Sequence, residues 1–568
     1  GQNRIMLCAL LLFSSYEAPV DKPKAAVEMP ELVRRYSTDR QALEGFYFID
    51  SAESRLKRIE DFSKDWLGQL KTVDFDGLDQ SGKIDYVLLR NENEYLIKKA
   101  GFERARAKQT QELLPFAPKI IGLEEARWKV LPVDPEKAAG ELDSLAKEIK
   151  EQRRKLQEAM DKAKDKPKPV SPELAFRASN EAKELSATFE KWFKHYDGFK
   201  PLFTWWCRKP YEAAKKELDD YAKFLKETVA GVKEGEDDPL IGDPIGKEEL
   251  QAELDHEMIP YSLDELIKIA EREYAWCEAE MKKASREMGF KDDWRKALEK
   301  VKNLHAEPGE QDNLVADQAR EAIAFLDKND LVTIEPLARE TWRVDMMDAK
   351  QQRSLPFAAY GGQKMLVSFP LDSMDHETKL MSLRGNNIHF TRAITQHELI
   401  PGHHLQGYMA QRYKSYRQVF STPFFGEGWA LYWEFLLYEM GFPRGPEDKI
   451  GMLFWRMHRA ARIVVSLSFH LGKMKPQEMI DYLVEKVGHE RWTATSEVRR
   501  FIGGQYSPLY QCAYMIGGLQ LRALFKEFSK NPSPAPLDSH ESSKNPSPAP
   551  LDSHESSKNP SPAPLDSH

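Results

Sequence analysis

Gln396-His397-Glu398-Leu399-Ile400-Pro401-Gly402-His403-His404-Leu405-Gln406 places three histidines and a glutamate within eight positions, among apolar neighbours. Imidazole is the usual nitrogen ligand of zinc, and zinc peptidases keep a general-base carboxylate one residue after the first ligand. In the His-Glu-x-x-His pattern two histidines four apart share one helix face. Here the fourth position after His397 is Pro401. Proline cannot donate to the carbonyl four residues back, and its ring crowds that turn; Gly402 permits backbone angles that other residues avoid. The stretch therefore reads as a helix carrying His397 and Glu398, a Pro-Gly break, and a second histidine from just beyond it. His403 is the first candidate. His404 stays open as the alternative, although seven residues span about 10 Å of undistorted helix at about 1.5 Å each.

Downstream, Phe424-Phe-Gly-Glu427-Gly-Trp-Ala-Leu-Tyr-Trp-Glu434 reads as a buried helix with a carboxylate near its start. Glu427 and Glu434 are seven apart, two turns up one face. A carboxylate in such apolar surroundings must be paired, protonated or metal-bound. Glu427 is the third ligand candidate. Glu434 is placed to hold a ligand histidine by its other ring nitrogen.

These two runs, His-Glu-x-x-Pro-Gly-His-His-Leu-Gln and Gly-Glu-Gly-Trp-Ala-Leu-Tyr-x-Glu, resemble the bacterial family known as domain of unknown function 885. The likeness extends from about Asp74 to Leu521 and includes Arg459-Ala-Ala-Arg462, His470 and Ser496-Glu497-Val-Arg-Arg500. It implies a zinc metallopeptidase with one Zn²⁺ per chain. The third-ligand helix is also similar to those of thimet-oligopeptidase-like and carboxypeptidase-Taq-like enzymes, gluzincin-like helical clefts that take short peptides. By that likeness Tyr514 is the phenol that stabilises the oxyanion, with Tyr510 beside it. Two departures bear on the substrate pocket: the family's Pro-Gly-Gln-Ala is Pro508-Leu-Tyr-Gln here, and its aspartate after the arginine stretch is Ser466.

With 568 residues, 41% apolar and 31% charged, the chain is an ordinary globular one with ample core. Net charge is −8, and no basic patch suggests nucleic acid as a partner. Cys8, Cys207, Cys277 and Cys512 lie too far apart to define a disulfide framework or a zinc ribbon. Residues 3–15 have the shape of a signal-peptide core. Residues 1–26 are then either an export-signal remnant, with a periplasmic or secreted protein, or an extension docked on the core of a cytoplasmic one. No apolar run is long enough to span a membrane, and no sequence feature specifies an oligomeric state.

The expected fold is mainly α: a large helical body over residues 27–528, with a deep cleft and a small sheet beside the metal site. Within it, residues 135–231 read as long charged helices (Glu136 to Lys164, Pro172 to His195, Tyr211 to Val229) in a hairpin against the body, the first two parted at Lys166-Pro-Lys-Pro. Ser262 and Glu265 form a capping box. Residues 332–370 hold the sheet, with strands at Val332-Thr-Ile, Trp342-Arg-Val and Met365-Leu-Val-Ser-Phe, and Gly361-Gly362 as a turn at the cleft mouth. A strand edge there suits an extended peptide. Residues 378–521 are helical and hold every site residue. Arg462 and His470 share a helix face; Arg462 needs a carboxylate, from Glu497 or from substrate. Residues 529–568 repeat Ser-Lys-Asn-Pro-Ser-Pro-Ala-Pro-Leu-Asp-Ser-His three times and are disordered or an artificial addition.

The function expected is zinc-dependent hydrolysis of peptide or related amide bonds, with Glu398 as general base. The alternatives are a non-catalytic, metal-stabilised binding protein and an amidase acting on modified amino acids or cell-wall fragments. His404, Glu434, Arg462, His470, Arg500 and Tyr510 are the residues expected to steady a ligand or meet the substrate.

Overall fold

Capping residues and prolines set where the long helices begin. The computed structural model describes residues 28–163, 168–232 and 240–530, with 21 α-helices and one three-stranded sheet. The readings of residues 1–26, of Lys166-Pro and of nearly all the C-terminal repeats lie outside the described residues. Among the described residues, those up to Arg522 cluster as one unit and Ala523 to Lys530 as another.

The first layer contains α1 (Ala117–Trp128), α2 (Pro135–Lys162), α3 (Pro172–Tyr196) and α4 (Pro201–Phe224). Asp134 caps α2 by accepting from the Glu136 and Lys137 amides, and Ser171 caps α3 by accepting from Leu174. A proline follows each cap at the first helical position, where its missing donor costs nothing. The layer's three long helices pack together, α4 against both α2 and α3, around a core that includes Leu142, Phe189, Trp192 and Tyr221, with α1 alongside α3. Helix α4 starts ten residues before the expected Tyr211 and carries Pro210 inside it. Phe203 and Cys207 before that proline, and Ala214 and Leu218 after it, form one continuous buried stripe. Packing of that stripe outweighs the lost backbone hydrogen bond.

Further along the same unit, Ser262 and Glu265 do form a reciprocal capping box, starting α5 (Leu263–Glu287). The sheet comprises β1 (Arg343–Met346), β2 (Ala358–Gly361) and β3 (Lys364–Val367) in the order β1-β3-β2. Strand β1 runs parallel to β3, and β2 antiparallel, with Tyr360 opposite Met365. Gly362 and Gln363, both at positive φ, close the β2–β3 hairpin as a two-residue turn. Val332-Thr-Ile is not a strand; the chain there leads into a short helix begun by Pro336, which has no amide for a ladder. Strand β2, Ala-Ala-Tyr-Gly, has little β propensity of its own and is set by the turn and its partner strand.

Five helices build the site: α6 (Ile388–Glu398), α7 (His403–Ala410), α8 (Pro423–Glu439), α9 (Pro446–His470) and α10 (Arg491–Ile502); α11 (Tyr510–Lys530) closes it. Helix α9 is buried along nearly its whole length, with α5 and α6 packed against it. No described helix is long and apolar enough to cross a membrane.

Candidate metal centre

The Pro-Gly break acts as its residue types dictate. Helix α6, capped by Asn387, ends at Glu398; Leu399 turns the chain out, and the Ile400–Pro401 bond is cis. The Gly402 amide donates to the Gln396 carbonyl at 3.0 Å. A Cβ on Gly402 would lie 1.7 Å from the His397 carbonyl oxygen, so only glycine fits the return. Trp429 on α8 donates to the Pro401 carbonyl at 2.8 Å and pins the break to the next helix. Helix α7 then opens on His403, whose ring meets that of His397 edge-on with centroids 4.9 Å apart.

Glu427, near the start of α8, completes the group. Its Oε2 lies 3.3 Å from His397 Nε2 and 3.1 Å from His403 Nε2. One ligand atom from each of the three falls within 4.8 Å of the others, so the group could hold a metal ion. Two ring nitrogens and a carboxylate oxygen converging on one point is a donor set that suits zinc. Burial lowers the affinity of His397 for a proton, but its bonds to Glu427 and Glu434 raise it to about 9. Burial pushes Glu427 upward, and the two imidazoles hold it well below the usual carboxylate range.

Around this group the supporting contacts are specific. His397 Nδ1 donates to Glu434 Oε1 at 2.6 Å, as the seven-residue spacing anticipated. Arg459 Nη2 lies 3.7 Å from the same oxygen. Tyr510 donates to the second oxygen of Glu427. The Tyr514 ring stacks on His397 at 5.9 Å, and its hydroxyl accepts from Arg500 Nη2 at 3.2 Å. Glu398, with Oε2 4.0 Å from His403 Nε2, lines the same cavity of about 390 Å³ as the three converging residues. His404 turns away: its Nε2 donates to the Ala338 carbonyl at 2.8 Å, and Nδ1 takes the Tyr360 hydroxyl at 3.2 Å.

Arg462 donates to Glu497 Oε2 at 2.5 Å, the structural partner its sequence context offered, and still borders the cavity with Arg500. His470 also lies away from the converging group. It does not line the cavity; burial holds its imidazole down to about 4, near Asp243 and Arg106. Three contributors carried no assignment in the sequence reading. Arg459 was one; Tyr360 on β2 was another. The third is a buried chain in which His489 Nε2 donates to His458 Nδ1 at 2.9 Å and His458 Nε2 to Glu497 Oε2 at 3.1 Å. Their signal is Arg456, His458, Arg459 and Arg462 inside the apolar run of α9.

The family model for bacterial proteins of unknown function, DUF885, matches residues 49–532. The chain belongs to that family. Among solved structures, the DUF885 chain is similar to a "putative lipoprotein of unknown function" from Shewanella oneidensis, with a TM-score of 0.64, 18% identity and 89% of this chain matched to 94% of that one. A "putative lipoprotein" from Colwellia psychrerythraea gives 0.50, 17%, 88% and 92%. At these identities the likeness is one of fold. No curated protein sequence matches the chain.

Proposed function

We propose that this DUF885 protein is a zinc-dependent hydrolase that cleaves peptide, or related amide, bonds in short peptides. The observation that carries the reading is the convergence of His397, His403 and Glu427 with Glu398 beside them in one cavity. Zinc held by those three would supply a Lewis acid for a carbonyl oxygen and lower the pKa of a water. Glu398 then takes a proton from the attacking water on its carboxylate and returns it to the leaving nitrogen. Glu434 keeps His397 Nδ1 protonated, so that Nε2 would be the nitrogen offered to the metal. Tyr514, accepting from Arg500, is left to donate its own proton to a carbonyl oxygen that gains charge.

Substrate placement follows from the cavity walls. Strand β2 is paired on one side only and contributes Ala358, Ala359 and Tyr360 to the lining. An extended peptide can add to that edge through main-chain hydrogen bonds. Arg462 and Arg500 share a single carboxylate, Glu497, at distances of 2.5 and 3.7 Å. That excess positive charge would receive the substrate's own carboxylate. The lipoprotein descriptions of the two similar structures, with the signal-like residues 3–15, favour an exported protein.

Elemental analysis of wild type and Glu427→Ala tests this reading. About one zinc per wild-type chain, lost in the variant, with hydrolysis of a short-peptide panel, is the expected result. A wild type that holds no zinc after metal is added back overturns it. Turnover of acylated amino acids but not peptides would make the enzyme an amidase.

A further inference from the structure

The first turns of α4, Pro201-Leu-Phe-Thr-Trp-Trp-Cys-Arg-Lys209, are apolar on two opposite faces. Phe203 and Cys207 are fully buried in the layer's core. Across the helix, Leu202, Trp205 and Trp206 stand 69%, 67% and 44% exposed, and Phe199, just before the helix, 71%. Spacings of three and four put the three helical residues in one stripe. An exposed apolar stripe with cations beside it marks an interaction surface.

The end of α1 extends this surface with Trp128, Val130 and Leu131, at 40%, 86% and 53% exposed. Arg127 Nη1 lies 3.5 Å from His195 Nδ1, and the His195 ring packs against Phe199, which joins the two patches. The charge around them is predominantly positive, although Lys194 pairs with Glu190. Between Lys191 and Lys209 there are five lysines and arginines and a single carboxylate, Asp197, already held by Arg208 at 2.9 Å.

We infer that this end of the three-helix layer docks on an anionic membrane surface. Exposed Trp, Phe and Leu enter the boundary between headgroups and acyl chains, where the amphipathic indole is favoured, and the surrounding cations meet anionic headgroups. Binding is peripheral, since no described helix can span a bilayer. A second copy of this chain suits the surface poorly: a symmetric contact sets each patch against itself and brings like charges together. The surface is separate from the zinc group and stands whether or not the chain is a peptidase.

Sedimentation of the full chain with vesicles provides the test, using phosphatidylcholine alone and phosphatidylcholine with phosphatidylglycerol. Wild type should pellet with the anionic vesicles, with its indole emission shifted to the blue, and added NaCl should weaken the binding. The combined substitution Leu202→Ser, Trp205→Ser and Trp206→Ser should weaken it by about tenfold or more at an unchanged thermal midpoint. Lys200→Glu with Lys209→Glu, which leaves the apolar side chains in place, should weaken it on anionic vesicles in the same way. No binding to anionic vesicles, or undiminished binding in both variants, overturns the inference. So does a concentration-dependent dimer, without vesicle binding, that the serine substitutions abolish.

Discussion

In α2, Leu142, Leu145, Ile149 and Leu156 face inward and none of the charged residues is buried. In α9, Arg456, His458, Arg459 and Arg462 are all buried. Each of the latter reaches a different structural element or closes a chain of contacts: Arg456 to Glu273, Arg459 to Glu434, and His458 and Arg462 to Glu497. The first helix is held by buried apolar area, its ion pairs such as Arg153–Glu217 staying partly exposed. The second is tied to its neighbours by buried charge, which is costly to assemble and more costly to break. Scaffold and site therefore differ less in secondary structure than in which face carries polarity.

Four substitutions break or sharpen that contrast. Glu398→Gln should retain zinc and lower peptide kcat about 10³-fold, within the range for general-base removal, as read by paired metal analysis and steady-state kinetics. Glu497→Gln leaves Arg462 and Arg500 buried without their counter-charge. It should cost about 3–5 kcal/mol in denaturant unfolding and lower hydrolysis as well. Leu142→Ala, in the scaffold layer, should cost about 2–5 kcal/mol by opening a cavity, yet leave kcat/KM unchanged; a matching loss of activity would show the layer to be part of the site. The last effect concerns pH. Burial holds His470 at about 4 against an ordinary 6.5, so the folded protein refuses a proton that the unfolded chain accepts. Its contribution is level above about pH 6.5, and stability falls below that by up to about 1.4 kcal/mol per pH unit. His470→Gln should flatten the slope between about pH 6.5 and 4 in thermal melts, over the interval set by those two values.

The parts of this molecule legible in its sequence are those governed by neighbours along the chain. Pro401 and Gly402 announce their own break, and the Glu427–Glu434 spacing announces its own face. The long helices of the layer declare themselves by period and caps. What escaped depends on distant partners. Strand β2 has no strand-like composition and exists because β3 accepts it. The buried stripe that carries α4 through Pro210 is defined only once the other helices surround it. Arg459 looks like any arginine until α9 is seen packed with Glu434 alongside. The sequence also marked His470 as a site candidate because it shares a helix with Arg462. Nothing local shows that the imidazole packs outside the cavity, near Asp243 and Arg106.

Gly428 of α8 and Gly517 of α11 settle which wall of the cleft can breathe. A Cβ on Gly428 would lie 2.6 Å from the Gly517 backbone, and one on Gly517 would lie 2.0 Å from the Phe424 carbonyl oxygen. The two helices therefore touch main chain to main chain, with Glu427 on one and Tyr510 and Tyr514 on the other. Such a seam has no slack, and its amides should take up deuterium only in global unfolding. The opposite wall is the β2–β3 hairpin, two four-residue strands with one free edge. Its amides should exchange sooner, which would make it the side from which the proposed peptide substrate enters.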